Sequence, residues 1–135
     1  MFQWFSISTP ANTAVTNPKE TVIKIDTGII NEWKVEIPSG HAGLTGFQVH
    51  DKNVSIFPRS RDEWISGDNT KFEVLDEYEV RKESCRLIAK TYNEDTKFAH
   101  AVKIGINVIK QHEELLLSEI NKNLIKIKQL LGGSD

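Results

Sequence analysis

The sequence is poor in cysteine, in excess basic charge and in long apolar runs. Its 135 residues include one cysteine, Cys85, so a framework of intrachain disulfide bonds is excluded. The 17 basic and 19 acidic residues give a formal net charge of −2. This charge lacks the clustered basic excess that nucleic-acid partners require, and no apolar run approaches the roughly 20 residues that span a bilayer. We therefore predict one modest domain with neither a nucleic-acid nor a membrane partner.

Recognisable catalytic and metal-binding motifs are also missing. No two of the four histidines stand at the short spacing of zinc ligands, so we predict no metal ion and no cofactor. The glycine-containing segment 40–46 lacks the Gly-Lys-Ser/Thr ending of a phosphate-binding loop. His100 lies on the apolar side of an alternating segment, where we expect a core histidine hydrogen-bonded to Tyr92 or Asp95. We predict that the protein is not an enzyme, and a small hydrolase is the least favoured alternative.

From about residue 20 to residue 109 the apolar residues alternate with polar ones, which is typical of β-strands with one buried face. The clearest run begins at Lys97, and its alternate positions are Phe98, His100, Val102, Ile104, Ile106 and Val108. The segments around Phe72 and Tyr78 are predicted as two separate strands. About seven or eight strands with turn signals between them predict a mainly β fold, an antiparallel β-sandwich of jelly-roll type followed by a C-terminal α-helix.

Three aromatic residues near the start of the chain, Phe2, Trp4 and Phe5, precede a stretch rich in Thr, Asn and Pro. We predict an extended N-terminal arm over residues 1–19 and a β-sandwich domain over residues 20–109. Exposed apolar clusters often mark contacts, so the three aromatics are possible docking residues. The sequence leaves open whether they pack on their own domain or on a neighbouring subunit.

Residues 110–132 have the spacing of a helix that packs against other helices. Apolar residues recur every three and four positions, at Leu117, Ile120, Leu124, Ile127 and Leu131. Leu at one core position and Ile at the other disfavours dimers, so we predict a parallel homo-oligomer of about three to five copies. An isolated helix of this length is marginal in water, so its apolar stripe must be covered. Packing of the helix on its own sandwich is the alternative.

The long polar loop Pro58–Asn69 is interrupted by Trp64 and Ile65. We expect these two apolar side chains to plug the loop onto the edge of the sandwich. An exposed Trp64 with its ring flat to solvent would instead make this loop a ligand site. A carbohydrate- or peptide-binding β-sandwich module is therefore the second functional hypothesis.

Turn and core motifs stand in residues 35–40 (VEIPSG), 43–47 (GLTGF), 56–58 (IFP), 63–69 (EWISGDN) and 92–95 (YNED), followed by His100. These segments resemble a group of small uncharacterised proteins encoded among the structural genes of tailed phages. The resemblance covers about residues 20–109 and carries over no functional residue. It implies a component of a virion or of virion assembly.

The β domain and the self-associating helix lead to the same expectation as the resemblance. We predict a non-enzymatic structural subunit of a viral particle: a phage capsid decoration, head-fibre or vertex, or tail-associated protein. The sandwich would be the exposed or docking module. The helix or the aromatic arm would hold it to copies of itself or to other virion proteins. The expected location is the virion, assembled in the host cytoplasm.

Overall fold

The alternating segments form strands in a computed structural model that describes residues 2–60, 62–82 and 85–110. Within these residues eight β-strands follow one another along the chain. They are β1 (Phe2–Thr9), β2 (Lys19–Lys24), β3 (Gly28–Ile37), β4 (Thr45–Asp51), β5 (Val54–Phe57), β6 (Thr70–Val80), β7 (Arg86–Asn93) and β8 (His100–Ile109). The helix predicted over residues 110–132 lies, except for Lys110, outside the described residues.

The eight strands form two antiparallel sheets of four strands each. The first sheet has the order β1-β8-β3-β6 and the second has the order β2-β7-β4-β5. Along the chain, every connection except the β4–β5 hairpin passes from one sheet to the other. The prediction of a mainly β fold built from antiparallel sheets is therefore confirmed.

The core draws buried apolar side chains from both sheets. Trp33 and Ile104 come from the first sheet, Phe47 and Leu87 come from the second, and each is at most 1% exposed. The Trp33 ring stacks on the Phe57 ring of the second sheet, with centroids 4.4 Å apart and planes 12° from parallel. Full burial of a large apolar side chain stabilises by about 1.5–3 kcal/mol relative to exposure. Contacts such as this stack hold the two sheets together.

The N-terminal residues belong to the first sheet. Phe2–Thr9 forms the edge strand β1, which pairs with β8 along its whole length. Ile7 and Thr9 are buried, and Phe5 packs against the core, so alternate residues of β1 face inward. The arm predicted over residues 1–19 is thus a strand followed by a loop.

Strand β8 begins later than the sequence predicts. The apolar alternation extends back to Lys97, whereas β8 starts at His100, and Phe98 is 65% exposed. The Asp95 carboxylate accepts hydrogen bonds from the backbone N–H groups of Lys97 (2.8 Å) and Phe98 (3.3 Å). These bonds fold residues 95–98 into a turn, because an Asp side chain that bonds the backbone just after it stabilises turns over strands.

Strand β6 is one continuous strand of 11 residues where the sequence predicts two. It pairs with β3, and the register shifts between Ile30 and Glu32. Two residues of β6, Asp76 and Glu77, therefore stand opposite the single residue Asn31, which is the arrangement of a β-bulge. The strand thus continues through Asp76 and Glu77 by means of the bulge, and these two polar residues do not divide it into two strands.

Candidate functional site

The residues predicted to form the oligomer interface lie outside the described residues. They are Leu117, Ile120, Leu124, Ile127 and Leu131. Self-association through these side chains stays a prediction from the sequence.

The loop between β5 and β6 is fixed to strand β4, and Ile65 packs against the core as expected. Ile65 and Phe47 exchange two backbone hydrogen bonds of 3.0 Å each. The Trp64 ring is half-buried and lies at 83° to the Tyr92 ring, with centroids 5.0 Å apart. The predicted ligand residue Trp64 therefore packs on its neighbours and does not offer a flat, exposed ring.

One end of the sandwich, the histidine end, is built from five polar residues: His41, Thr45, Asn93, Asp95 and His100. His41 is 2% exposed. Its Nδ1 lies 2.5 Å from Thr45 Oγ1, and its Nε2 lies 3.0 Å from the carbonyl oxygen of Ala101. Because a carbonyl oxygen only accepts, Nε2 carries the proton and Nδ1 accepts from the Thr45 hydroxyl. Burial lowers the pKa of His41, which favours this neutral ring.

The second ring of the histidine end is paired with a carboxylate. His100 Nε2 lies 2.8 Å from Asp95 Oδ2, so Asp95 is confirmed as one of the two partners expected from the sequence. The hydrogen bond from His100, followed by that from the Lys97 N–H, lowers the pKa of Asp95. The rings of His41 and His100 are in contact, with centroids 4.6 Å apart. Both rings therefore belong to one hydrogen-bonded and packed cluster.

Asn93 connects three segments at the histidine end and is fully buried. Its Nδ2 donates to the carbonyl oxygens of Thr9 (3.1 Å) and Phe98 (2.9 Å), and its Oδ1 accepts from the Asp95 N–H (2.9 Å). From the sequence, Asn93 is expected only to be a turn residue, and no local signal indicates this role. Only the meeting of β1, β7 and the turn before β8 reveals it.

The cavity beside the histidine end has a volume of about 10 Å³ and is lined in part by Thr9, His41, Thr45, Thr91 and His100. This volume corresponds to about one water molecule. The side chains around it are held by hydrogen bonds within the sandwich. The cluster therefore acts in holding the strands together, and its geometry offers no space for an organic substrate.

The opposite end of β4 carries the tyrosine end, which consists of Trp33, Asp51, Arg59, Asp76 and Tyr78. Asp51 is 8% exposed, and its Oδ2 accepts a hydrogen bond from the Tyr78 hydroxyl. Asp51 Oδ1 has no hydrogen-bond partner among the described residues. Burial, assisted by the bond to Asp51, raises the pKa of Tyr78 to about 12. The phenol therefore stays a donor throughout the neutral range.

The outer part of the tyrosine end is an ion pair beside water. Arg59 Nη2 lies 2.7 Å from Asp76 Oδ1, and the Arg59 side chain is 58% exposed. The other oxygen of Asp76 accepts from Trp33 Nε1 at 2.9 Å. The Arg59 guanidinium also lies 5.4 Å from the centre of the Tyr78 ring. This arrangement anchors the bulged segment of β6 to the core.

The outward side of the first sheet, called the Trp4 face, carries an exposed aromatic among charged side chains. The strand registers place Trp4, Gly105, Lys34 and Glu73 in one row across the four strands. The next row contains Ser6, Lys103, Glu36 and Lys71. A third row, on the other side of the first, contains Phe2, Asn107, Glu32 and Leu75. The charged residues alternate in sign along and between the strands.

The Trp4 ring lies across Gly105 of the neighbouring strand. A Cβ atom placed on Gly105 would stand 2.9–3.0 Å from three atoms of the Trp4 ring, so the glycine makes room for the indole. Trp4 remains 49% exposed. Phe2 stacks beside it, with centroids 6.2 Å apart, and Lys34 Nζ lies 4.5 Å from the centre of the Phe2 ring.

Of the three possible docking residues, the structure brings Phe2 and Trp4 together on this face and turns Phe5 toward the core. The sequence signal for the face was the group of aromatics itself. Its charged residues were missed, because only strand pairing shows that they surround Trp4.

Two shallow grooves meet at Trp4 and Glu36. The first has a volume of about 360 Å³ and is lined by Trp4, Phe5, Ser6, Glu36 and Lys103. The second has a volume of about 270 Å³ and is lined by Trp4, Lys34, Val35, Glu36, Lys71, Phe72 and Glu73. Binding sites for small molecules have volumes of about 300–1,000 Å³. The Trp4 face therefore has the size of a site for one or a few rings.

Across residues 2–60, 62–82 and 85–110, no three His, Cys, Asp or Glu side chains are grouped as a metal site would need. In the same part of the chain, no helix has the length and apolar character needed to cross a membrane. No protein-family model, curated protein or solved structure matches this chain. Functional inference therefore rests on the strand order, the side-chain geometry and the pattern of the sequence.

Proposed function

We propose that the protein is a structural subunit of a viral particle and that its domain is a jelly roll. The observation that carries this proposal is the strand order, β1-β8-β3-β6 facing β2-β7-β4-β5. In this order the first and last strands are neighbours, and all connections but one cross between the sheets. Eight-stranded jelly rolls of two sheets are typical of viral capsid and lectin domains.

The C-terminal residues give the subunit its means of assembly. The heptad-like spacing of Leu117, Leu124 and Leu131 with Ile120 and Ile127 provides the apolar stripe. Each of these side chains contributes on the order of 1.5–3 kcal/mol when fully buried, before the entropy of association is subtracted. Copies of the chain associate through this stripe, and the sandwich is presented as a capsid decoration, head-fibre, vertex or tail-associated module.

Sedimentation equilibrium of the full chain tests the self-association. We expect a mass of about three to five copies, and we expect Leu124→Asp to give a monomer because it places a charge in the stripe. Gln129→Asp is the matched control, since it adds the same charge at a position that the heptad places away from the stripe. Its mass should equal that of the parent, and a monomeric parent would contradict the proposal.

Fractionation of particles tests the structural role. An antibody raised against the purified chain should detect it in virus particles banded on a density gradient, and should label them in electron micrographs. If the protein is found only among the unassembled proteins at the top of the gradient, the proposal that it is part of the particle is contradicted.

A carbohydrate-binding module is the second candidate function, and the exposed ring of Trp4 favours it over a site at Trp64. The same strand order supports this candidate, because lectin domains share the jelly roll. The two functions are compatible, since a particle subunit can also carry a receptor- or glycan-binding face.

A further inference from the structure

We propose that the Trp4 face binds a neutral carbohydrate, with one sugar ring stacked on the Trp4 indole. This proposal goes beyond the role of a structural subunit and does not depend on self-association. It gives the carbohydrate-binding candidate a defined site, and it places that site on the first sheet, away from the Pro58–Asn69 loop.

The indole offers the platform that such a ligand needs. One side of the ring lies against Gly105, so the ring is supported by the sheet, while 49% of the side chain stays exposed. The π face of an aromatic ring carries negative charge density, which attracts the C–H groups on the apolar side of a pyranose. The stack with Phe2 limits the freedom of the indole, so little entropy is lost on binding.

The charged residues around Trp4 supply both donors and acceptors. Lys103 and Glu36 line the larger groove, and Lys34, Lys71 and Glu73 line the smaller one with Glu36. Lysine ammonium groups donate only and carboxylates accept only, whereas sugar hydroxyls do both. A ligand rich in hydroxyl groups can therefore bond to both kinds of side chain at once.

The charge balance of the face favours a neutral sugar over an ionic one. In the three rows of the Trp4 face, Lys34, Lys71 and Lys103 stand among Glu32, Glu36 and Glu73. Three positive and three negative groups lie in alternation, and Lys34 Nζ lies 3.7 Å from Glu73 Oε1. An anionic or cationic ligand would meet repulsion from half of these groups and attraction from the other half, so its charge would gain nothing from this face. A neutral polyhydroxylated ligand meets no repulsion and can hydrogen-bond to both kinds of group.

The same pattern disfavours a protein partner on this face. A stable protein interface buries about 800 Å² on each side, and its centre is depleted of charged residues. Here the centre of the sheet carries Lys34, Glu36 and Lys103. The apolar side chains are divided between the stacked rings of Phe2 and Trp4 at the β1 edge and the exposed Leu75 at the β6 edge, so they form no continuous apolar patch. The apolar surface matches a sugar ring better than it matches a second folded chain.

Isothermal titration calorimetry of the full chain with four neutral hexasaccharides tests the proposal. The probes are maltohexaose, cellohexaose, chitohexaose and mannohexaose, and a heparin hexasaccharide is the anionic comparison. We expect saturable binding of at least one neutral probe, in the millimolar range or tighter for a shallow site. We expect Trp4→Ala to weaken it about tenfold or more, which corresponds to about 1.4 kcal/mol for each factor of ten.

Trp64→Ala is the matched control, because it removes the same side chain from the half-buried position in the β5–β6 loop. Its affinity should stay within about twofold of the parent, a change well below a factor of ten. Glu36→Gln and Lys103→Met keep the size of their side chains and lie on the surface, so the fold should persist. Each should weaken sugar binding severalfold. If the circular dichroism spectrum shows that Trp4→Ala alters the fold, these two variants test the sugar site in its place.

Several results would overturn the proposal. The first is the absence of binding to every neutral probe up to about 10 mM, a concentration about tenfold above a dissociation constant of about 1 mM. The second is binding that Trp4→Ala and Glu36→Gln leave unchanged, and the third is preference for the heparin probe. A change of sedimentation mass in Trp4→Ala without sugar binding would assign the face to a second copy of the chain. Failure of the sugar titration leaves the Leu124→Asp sedimentation result unaffected, so the two proposals fail separately.

Discussion

The two ends of strand β4 carry polar clusters of different character. At its first residue, Thr45, lies the histidine end, where the buried Asn93 and His41 are neutral. At its last residue, Asp51, lies the tyrosine end, where a carboxylate is buried with one oxygen unpaired among the described residues. The histidine end thus holds the neutral side chains of His41 and Asn93 deep in the fold, beside the His100–Asp95 pair. The outer part of the tyrosine end holds the Arg59–Asp76 ion pair beside water.

This difference predicts how each end responds to change. When a buried neutral side chain that makes all its hydrogen bonds is removed, its former partners are left unpaired. Each unpaired buried atom lowers the free energy of unfolding by about 1–3 kcal/mol. A charged pair close to water can be hydrated when one partner is lost, so exposed pairs contribute about 0–1 kcal/mol. The histidine end should therefore be the more sensitive of the two.

The largest effect is expected for Asn93→Ala. This change leaves the carbonyl oxygens of Thr9 and Phe98 without their donor, so we expect the free energy of unfolding to fall by about 3 kcal/mol or more. Urea denaturation at pH 7 measures it. Asn107→Ala is the control, since within the described part of the chain the Asn107 amide donates to a single acceptor, Asn31 Oδ1, and it should cost less than about 1 kcal/mol. Equal losses in the two variants would contradict the central place of Asn93.

A smaller effect is expected for Tyr78→Phe at the tyrosine end. The change removes the donor to Asp51 Oδ2 and leaves that carboxylate less satisfied, so we expect a loss of about 1–3 kcal/mol in urea denaturation. Tyr92→Phe removes the same atom from a half-buried tyrosine of the second sheet, and it should cost under about 1 kcal/mol. A larger loss in Tyr92→Phe than in Tyr78→Phe would reverse the predicted order.

The smallest effect is a pH dependence that comes from His41. Its folded-state pKa is lowered below 6.5 by burial, so the unfolded chain binds a proton at a higher pH than the folded chain does. The contribution of His41 is complete above pH 6.5 and is lost as the pH falls toward the folded pKa. We expect the thermal midpoint to decrease between pH 7 and pH 5, and to decrease less in His41→Gln. Identical profiles for the two proteins would exclude His41 as the source.

Local alternation predicted the interior strands well. Val102, Ile104 and Ile106 of β8 are buried as the alternation indicates, and Ile65 attaches the β5–β6 loop to Phe47 as expected. These features depend on side chains that are close together in the sequence. Their apolar character alone is enough to indicate that they point into the core.

Other features depend on residues that are distant in the sequence. Strand β1 could not be recognised from alternation of apolar and polar residues. Phe2 and Trp4 face outward while Phe5 faces inward, so apolar residues occupy both sides of the strand. The Trp4 face could be predicted only as a group of aromatics, since the glycine beneath the indole comes from the pairing of β1 with β8. For the same reason the sequence could not show that Asn93 bonds to Thr9.

The pairing of β1 with β8 also has a consequence for synthesis of the chain. Among the described strands, the one synthesised first, β1, has its sheet neighbour in the one synthesised last, β8. Until then β1 carries Phe2, Trp4 and Phe5 on a segment with unpaired backbone groups, and non-local pairing of this kind slows folding. Nascent β1 therefore waits longer for its partner than any other described strand, and the first sheet can be completed only after residue 109 has been translated.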